Sequence, residues 1–179
     1  AARELGYDMK KNDRSSQGMV IGVLTPEKYI TVGQSFYWAL YQRVAYEAAK
    51  SQSVTMLEIL TFSMEEEEEM PKLLREKTIS GLIIIGWMTD SYVKKIVNAA
   101  GVPTVLLDFQ MKGVQCDAVM SSNYVGMYKV TRYLLEKGHR DIVFLGSVNA
   151  NDNIMDRYFG YRKACLLYTS PSPRDPKTS

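Results

Sequence analysis

Short apolar runs alternate with longer amphipathic segments along most of this chain, and this alternation narrows its possible folds more than any other feature. The run LIII at 82–85 is the plainest example, because its apolar residues are consecutive and mostly β-branched. Such runs are typical of strands that are covered by helices on both faces. We predict six strands, at residues 19–24, 54–60, 82–85, 105–107, 117–120 and 142–145.

The segments between the predicted strands have the period of amphipathic helices. In residues 34–50, apolar side chains recur every three or four positions and form one stripe. Pro71 interrupts the second such segment, so that helix begins either near Met70 or earlier with a kink. We predict helices at residues 34–50, 63–77, 90–100, 123–137 and 154–166. Strands that alternate with helices of this length indicate parallel βαβ units and an α/β fold.

Charge and apolar content exclude several classes of protein. The net charge of +2 is too small to suggest a nucleic acid or a membrane surface as the partner of this segment. No apolar run approaches the roughly 20 residues of a membrane helix. Cys116 and Cys165 have no paired or metal-ligand spacing, so we expect two reduced thiols in a cytoplasmic protein. Because the first residue is Ala1, we expect the chain to begin within a longer protein.

Residues 168–176 contain three of the six prolines and have no apolar period. We expect this stretch to be extended and disordered, because closely spaced prolines remove backbone donors and prevent helix formation. Residues 166–175 also look like a translated sequencing-adapter tail, with a natural proline-rich linker as the alternative. If the tail is artificial, the natural protein continues beyond about Leu166.

Four segments together resemble the LacI/GalR family of transcriptional regulators. The first is AARELGY at 1–7, which looks like the last helix of the family's DNA-binding headpiece. The second is IGVL at 21–24 followed by Phe36 and Tyr37, which resembles the first strand and the aromatic pair that opens the first helix.

The other two segments lie in the second half of the chain. LLEKGHRDI at 134–142 resembles the family's helix, Gly-His turn and strand, and RYFGY at 157–161 resembles its arginine three residues ahead of a glycine and an aromatic. The resemblance covers residues 1 to about 167. It has three departures: the loop at 26–35 looks longer than usual, Ser122 stands where the family commonly has an acid, and residues 9–17 lack the pattern of its hinge helix.

The resemblance implies an α/β fold of the periplasmic-binding-protein-like type I, in which two Rossmann-like lobes hold ligand in the cleft between them. Residues 19–118 would form the N-terminal lobe, and residues 119–167 would form part of an incomplete C-terminal lobe. Residues 1–18 would be the end of the headpiece and the linker, and residues 168–179 a disordered tail. We expect the stretch after Met120 to be poorly stable alone, because its apolar faces lack neighbours.

The resemblance also implies a cytoplasmic, homodimeric repressor whose effector domain binds a small molecule, here expected to be a carbohydrate. Ligand would favour one arrangement of the lobes, and the dimer would pass that change to operator DNA through headpieces outside this chain. No residue of this chain is expected to bind DNA, a cofactor or a membrane.

Two other functions use a similar fold. One is the periplasmic sugar-binding protein of a transporter, which an upstream signal peptide would support and ELGY at 4–7 opposes. The other is a flavodoxin-like α/β enzyme, which would need a phosphate loop or a cluster of polar residues.

Candidate ligand-binding residues follow the ends of predicted strands, because ligands of parallel sheets bind at the carboxyl edge. Asp108 follows the fourth strand, and its carboxylate could accept hydrogen bonds from sugar hydroxyls. The matching residue of the family contacts ligand; a helix cap or a solvent-facing turn residue is the alternative. Arg157 offers a planar fork of donors. It matches a ligand-contacting arginine of the family, with a surface ion pair to Asp156 as the alternative.

Three aromatic residues complete the candidate site. Phe36 and Tyr37 could stack on an apolar sugar face, although their helical spacing with Leu40 places at least one of them in the core. Trp87 comes directly after a strand and could face ligand or solvent.

The remaining polar residues give no case for catalysis or metal binding. His139 is the only histidine and has no second ligand at metal spacing, so we expect it to shape the turn after a helix. Residues 65–69 are five consecutive glutamates, which we interpret as a solvated face at a helix start. The sequence contains no GxGxxG, GxxxxGK[ST] or GxSxG pattern.

Overall fold

A computed structural model describes residues 18–30 and 36–169 of the chain. The predictions for the headpiece helix, the linker to residue 17 and the tail from residue 170 lie outside these residues. The chain divides into two compact units, which we call unit 1, ending at Val119, and unit 2, beginning at Met120.

Unit 1 is built on a sheet of five parallel strands in the order β2-β1-β3-β4-β5. The strands are β1 (Val20–Pro26), β2 (Val54–Leu60), β3 (Gly81–Ile85), β4 (Thr104–Leu107) and β5 (Asp117–Val119). Strand β3 is central: its Ile84 lies opposite Leu24 of β1 on one side and opposite Leu106 of β4 on the other. The α/β prediction and five of the six predicted strands are therefore confirmed.

The helices of unit 1 follow its strands, as the alternation predicts. They are a 3-10 helix (Glu27–Tyr29), α1 (Phe36–Lys50), α2 (Phe62–Glu66), α3 (Lys72–Glu76) and α4 (Asp90–Ala100). Of the two alternatives for the helix predicted at 63–77, a start near Met70 agrees with α3, and the kinked helix is wrong, because Pro71 separates two short helices. A separate α2 was not predicted. Pro71 is the N-cap of α3, where its missing N–H costs nothing.

The core of unit 1 lies between the sheet and helices α3 and α4. Leu24, Ile84 and Leu106 from neighbouring strands pack with Tyr92 and Ile96 of α4, and all five are almost fully buried. This burial is why the apolar run of β3 is continuous: both faces of that strand are covered.

Three glutamates cap the N-termini of helices that are distant in sequence. Glu27 accepts a hydrogen bond from the N–H of Phe62, the first residue of α2, at 3.0 Å. Glu58 accepts two bonds at the start of α3, and Glu65 accepts one from the Thr89 N–H ahead of α4 at 2.7 Å. A carboxylate at these positions pairs free N–H groups and complements the helix dipole. The interpretation of residues 65–69 as a solvated face is wrong for Glu65, whose side chain is 11% exposed.

Unit 2 consists of two long helices that run side by side in the same direction, α5 (Asn123–Glu136) and α6 (Asp152–Thr169). Their first turns are joined by a bond between Asn123 and Asn153, and their last turns by one between Glu136 and Tyr168. Gly160 is where the backbones meet, because a Cβ at that position would collide with the carbonyl oxygen of Tyr124. Parallel neighbouring helices are the arrangement expected on one face of a parallel sheet.

The strand predicted at 142–145 does not form. Val143 is 79% exposed and Leu145 is 91% exposed, and no described residue pairs with this segment in a sheet. Phe144 contacts the rings of Tyr158 and Tyr161 on α6, so the segment lies against the helix without strand partners. An apolar run becomes a strand only when neighbouring strands take up its backbone groups.

Candidate functional site

The polar and aromatic residues of unit 1 collect at the carboxyl edge of its sheet. The chain passes from β1 to β2 on one side and then to β3 on the other, so β1 and β3 flank the point where the strand order reverses. In open α/β sheets the crevice at this switch point is the usual ligand site. The segments after β1 and β3 therefore form the candidate site of unit 1.

Tyr29 connects those two segments. It ends the 3-10 helix after β1, and its hydroxyl donates a hydrogen bond to the Trp87 carbonyl oxygen after β3 at 3.2 Å. Its ring lies 4.2 Å from that of Tyr37, measured between centroids, with the planes tilted by 32°. Burial and the negative charge of Glu65 raise the pKa of Tyr29 above its ordinary value.

Gly86 makes room for the Tyr29 ring. Its φ of +81° lies in the left-handed region that favours glycine. A Cβ on Gly86 would lie 2.6 Å from Cε2 of Tyr29 and 3.3 Å from Cε1 of Tyr37. The glycine that ends β3 thus allows both tyrosines to approach the strand.

Lys28 places a positive charge over the rings of Tyr29 and Trp87. Its Nζ lies 5.3 Å from the ring centroid of Tyr29 and 5.3 Å from that of Trp87. The Glu65 carboxylate, which also caps α4, lies 3.9 Å from the same Nζ. The segments after β1, β2 and β3 are thereby joined by one ion pair, one helix cap and the cation–π contact between Lys28 and Trp87.

The three predicted aromatic residues all belong to this edge. Phe36 is 52% exposed and meets Tyr37 edge-on, with ring centroids 5.3 Å apart. Tyr37 is half-buried against Tyr29. Trp87 is 46% exposed, and its indole N–H donates to Asp90 at 3.4 Å. The expectation that Phe36 or Tyr37 belongs to the core is wrong, since neither is fully buried.

Asp108 directly follows β4 and is 5% exposed. Its backbone has a φ of +69°, and its N–H donates to the Val119 carbonyl oxygen at 2.8 Å. Both alternatives for Asp108 are therefore wrong, because it is not solvent-facing and no helix begins there. Its charge is felt at Tyr29, whose pKa it helps to raise. A carboxylate held in a left-handed conformation at a strand end is a fixed, buried acceptor.

Thr25 adds a second buried polar group, at the carboxyl end of β1. Its side chain is 2% exposed, and among the residues that the structure describes its hydroxyl has no hydrogen-bond partner. Buried hydroxyls are normally paired, so Thr25 offers an available hydrogen-bonding group at the carboxyl end of β1.

Arg157 belongs to unit 2, in the second turn of α6. Its Nε donates to Oδ1 of Asn123 at 2.7 Å. No ion pair joins it to Asp156 in the described part of the chain, so that alternative is wrong. The structure thus groups Phe36, Tyr37, Trp87 and Asp108 at one edge of unit 1, and holds Arg157 in a polar network of unit 2.

Sequence reasoning missed Lys28, Tyr29 and Glu65. The first two come directly after β1, so the rule that selected Trp87 and Asp108 could have selected them as well. Glu65 stands in a run of five identical residues, and only the folded chain shows which of the five turns inward.

The chemistry available at this edge is that of binding. Aromatic faces stack on apolar surfaces, while a buried carboxylate and a hydroxyl pair with ligand hydroxyl groups. Among residues 18–30 and 36–169, no group of three or more metal-ligating side chains comes together. Within the same ranges, no helix is both long enough and apolar enough to cross a membrane.

Comparison with known families and structures agrees with this description. The family model of periplasmic binding proteins and the sugar binding domain of the LacI family matches residues 19–168. Among curated relatives, the HTH-type transcriptional regulator RegA of Clostridium saccharobutylicum is 28% identical over 169 residues, which cover 92% of this chain and 49% of that protein. The repressor PurR of Vibrio campbellii is 26% identical over 101 residues, covering 56% of this chain and 30% of that one. The chain thus spans about half the length of the first relative.

Solved structures show the same fold. A LacI family transcriptional regulator from Enterococcus faecium, with bound ribose, superposes with a TM-score of 0.63 at 25% identity and covers 86% of this chain and 54% of its own. The transcriptional repressor ascG of Escherichia coli superposes with a TM-score of 0.68 at 18% identity. The match covers 84% of this chain and 55% of that one. With the family model matched over residues 19–168, the chain belongs to the family of periplasmic binding proteins and sugar binding domains of the LacI family.

Proposed function

We propose that this chain is the ligand-sensing part of a LacI-type transcriptional repressor and that a sugar is its effector. The observation that carries the proposal is the carboxyl edge of the unit 1 sheet, where Tyr29 and Tyr37 stack beside the switch point and the buried Asp108 carboxylate follows the neighbouring strand β4. The curated relatives support the regulatory part, because they are named as transcriptional regulators and repressors.

A sugar fits the chemistry of this edge. The apolar face of a sugar ring stacks on aromatic side chains such as Phe36, Tyr37 and Trp87, and its hydroxyls donate to a carboxylate such as Asp108. The Enterococcus faecium regulator was solved with bound ribose, and the regulator CelR with cellobiose. These two sugars are therefore the first probes to test.

We further propose that unit 1 corresponds to the N-terminal lobe, residues 19–118, and unit 2 to part of the C-terminal lobe, residues 119–167. In the whole protein, a homodimer in the cytoplasm would bind operator DNA through headpieces outside this chain. Effector would act by its different affinity for two arrangements of the lobes. The near-neutral charge of the chain fits this division of labour, since the headpieces would supply the basic surface.

Neither a transporter's binding protein nor an enzyme is favoured. The curated relatives are named as a transcriptional regulator and a transcriptional repressor.

Calorimetric titration of the chain with D-ribose and with cellobiose tests the proposal. We expect binding of one of them, and Asp108→Asn should weaken it about 10- to 100-fold, the effect of losing a charged hydrogen-bond acceptor. Asparagine is tolerated at a positive φ, so this substitution keeps the backbone. Asp117→Asn, in the exposed first position of β5, is the control and should leave affinity unchanged. An affinity that is the same in Asp108→Asn as in the wild type would show that Asp108 is not part of the site.

A further inference from the structure

Asn123 joins two polar side chains of α6 to the start of α5. Its Nδ2 donates to Oδ1 of Asn153 at 2.9 Å and to the Ser121 carbonyl oxygen at 3.2 Å. Its Oδ1 accepts the Nε–H of Arg157 at 2.7 Å. The three side chains therefore form a chain of hydrogen bonds in which Asn123 is the middle member.

The bonds fix which way the Asn123 amide points. Both groups that face its nitrogen are oxygen acceptors, so a flipped amide would set oxygen against oxygen and nitrogen against Arg157. Asn123 is 7% exposed and Asn153 is 8% exposed, so water does not readily replace these partners. A buried and satisfied network of this kind holds its members in one arrangement.

The packing of the two helices fixes the register of the network. Gly160 lies one turn beyond Arg157 and contacts the backbone of α5, where no side chain could fit. Sliding α6 along α5 would move Arg157 away from Asn123 and break this close contact. Both the amide orientation and the helix register therefore set the position of the guanidinium.

The network engages one side of the guanidinium only. In the described part of the chain Arg157 donates through Nε, so its terminal nitrogens Nη1 and Nη2 keep their donors for another partner. Two parallel N–H donors on a fixed plane suit vicinal hydroxyls or a carboxylate.

We propose that Asn123 and Asn153 are positioning residues, which hold Arg157 through its Nε so that Nη1 and Nη2 are presented to ligand in one orientation. Asn153 acts through Asn123 and touches no ligand itself. That Arg157 contacts ligand is the prediction made from the sequence and rests on the proposed function; that Asn153 orders Arg157 does not. The advantage is pre-organisation, because a guanidinium that is already ordered loses less freedom on binding.

NMR of the arginine side chains tests the positioning directly in the full chain without ligand. The Arg157 Nε–H signal, identified by its loss in Arg157→Lys, should exchange slowly with water. Asn153→Leu, which removes the acceptor for Asn123, should accelerate that exchange about tenfold, while Asn153→Asp, which keeps an acceptor, should not. If Asn153→Leu loses its helical circular dichroism, Asn153→Ala takes its place.

Asn151→Ala separates positioning from mere stability. Asn151 caps α6 by accepting the Ile154 N–H at 2.9 Å and makes no bond to Asn123. Its loss should weaken the helix start yet leave the Arg157 signal slow. Equal exchange of that signal in wild type and Asn153→Leu, or a similar acceleration in Asn151→Ala, would overturn the proposal.

Titration with D-ribose and cellobiose then addresses ligand. If the wild type binds, Asn153→Leu should weaken affinity about tenfold and Asn153→Asp should nearly restore it; undiminished affinity in Asn153→Leu would overturn the role in presenting Arg157. If the wild type binds neither sugar, the proposed effector class fails, while the NMR result still decides whether Asn153 positions Arg157.

Discussion

Two apolar runs of this chain look alike in sequence and end in opposite environments. Both LIII at 82–85 in unit 1 and IVFL at 142–145 in unit 2 are four residues long and are followed by a glycine. Ile84 and Ile85 are 0% exposed in the middle of a sheet, whereas Val143 is 79% exposed. The difference shows that an apolar run provides only the capacity for a strand, and that neighbouring strands provide the strand itself.

The comparison extends to what holds each unit together. Unit 1 has a sheet, a buried core and three glutamates that cap helices at long range. Unit 2 has a helix pair held by a glycine contact and a polar network. Unit 1 therefore has the larger apolar core, whereas in unit 2 the close backbone approach and the hydrogen bonds add to a few buried apolar side chains such as Leu135 and Ala164.

The largest expected effect on the free energy of unfolding comes from replacing one apolar side chain by alanine in each of the two runs. Ile84→Ala should destabilise the chain by about 2–5 kcal/mol, because it leaves a cavity in a fully packed core. Val143→Ala should change stability by no more than about 0.5 kcal/mol, because that side chain is already exposed. Urea unfolding followed by circular dichroism measures both. Similar losses for the two variants would mean that the 142–145 run is buried after all.

The next largest effect on stability comes from replacing a glycine by alanine in each of the two helices of unit 2. Gly160→Ala should destabilise unit 2 by about 1–3 kcal/mol, because the added methyl meets the backbone of α5. Gly126→Ala is the matched control: it lies in α5 with open space around it and should stabilise the helix by about 0.5–1 kcal/mol. Hydrogen exchange of the α5 and α6 amides reports the result. Unchanged protection of the α5 and α6 amides in Gly160→Ala would contradict the close approach of the two helices.

Tyr92 offers a smaller test that acts on unit 1. Its buried hydroxyl donates to the Glu69 carbonyl oxygen at 2.6 Å, so Tyr92→Phe should cost about 0.5–1.5 kcal/mol at neutral pH. Burial first, and then nearby glutamates, raise the pKa of Tyr92 from 10.0 to about 12. Since the folded pKa is the higher one, this contribution is complete below pH 10 and is lost as the pH rises to about 12.

The measurement for Tyr92 is the urea midpoint of wild type and Tyr92→Phe between about pH 9 and about pH 12. The difference between the two urea midpoints should narrow over this window. Only the wild type has a Tyr92 hydroxyl with a raised pKa, and only the wild type therefore loses stability as that hydroxyl ionises. A gap that stays constant would show that the Tyr92 pKa is not raised by folding.

The sequence predicts the fold of unit 1 well because its signals are local. Continuous apolar runs and the four-residue stripe identify β1, β3 and α1, and Gly101 with Pro103 beyond it identifies the end of α4. The sequence leaves open whether the helix around Pro71 begins near Met70 or begins earlier with a kink, since proline either kinks a helix or begins a new one. Only the position of the Glu58 carboxylate at the start of α3 decides for two helices.

The candidate site is predicted in part, and the missing part is tertiary. Trp87 and Asp108 could be found because each follows a strand end. The contact of Tyr29 with Tyr37 and the contact of Asn123 with Arg157 join residues that have no fixed spacing in a sequence. The position of each partner depends on the packing of whole elements, which composition and period do not encode.

Hydrogen exchange of the full chain with and without D-ribose or cellobiose tests most directly the central claim, that the carboxyl edge of the unit 1 sheet binds a sugar effector. The account predicts that whichever sugar binds slows exchange in the segments around Tyr29, Trp87 and Asp108, and leaves the opposite end of the same strands, near Val20 and Gly81, unchanged. Sugar binding that protects neither the Tyr29 nor the Trp87 segment would contradict it.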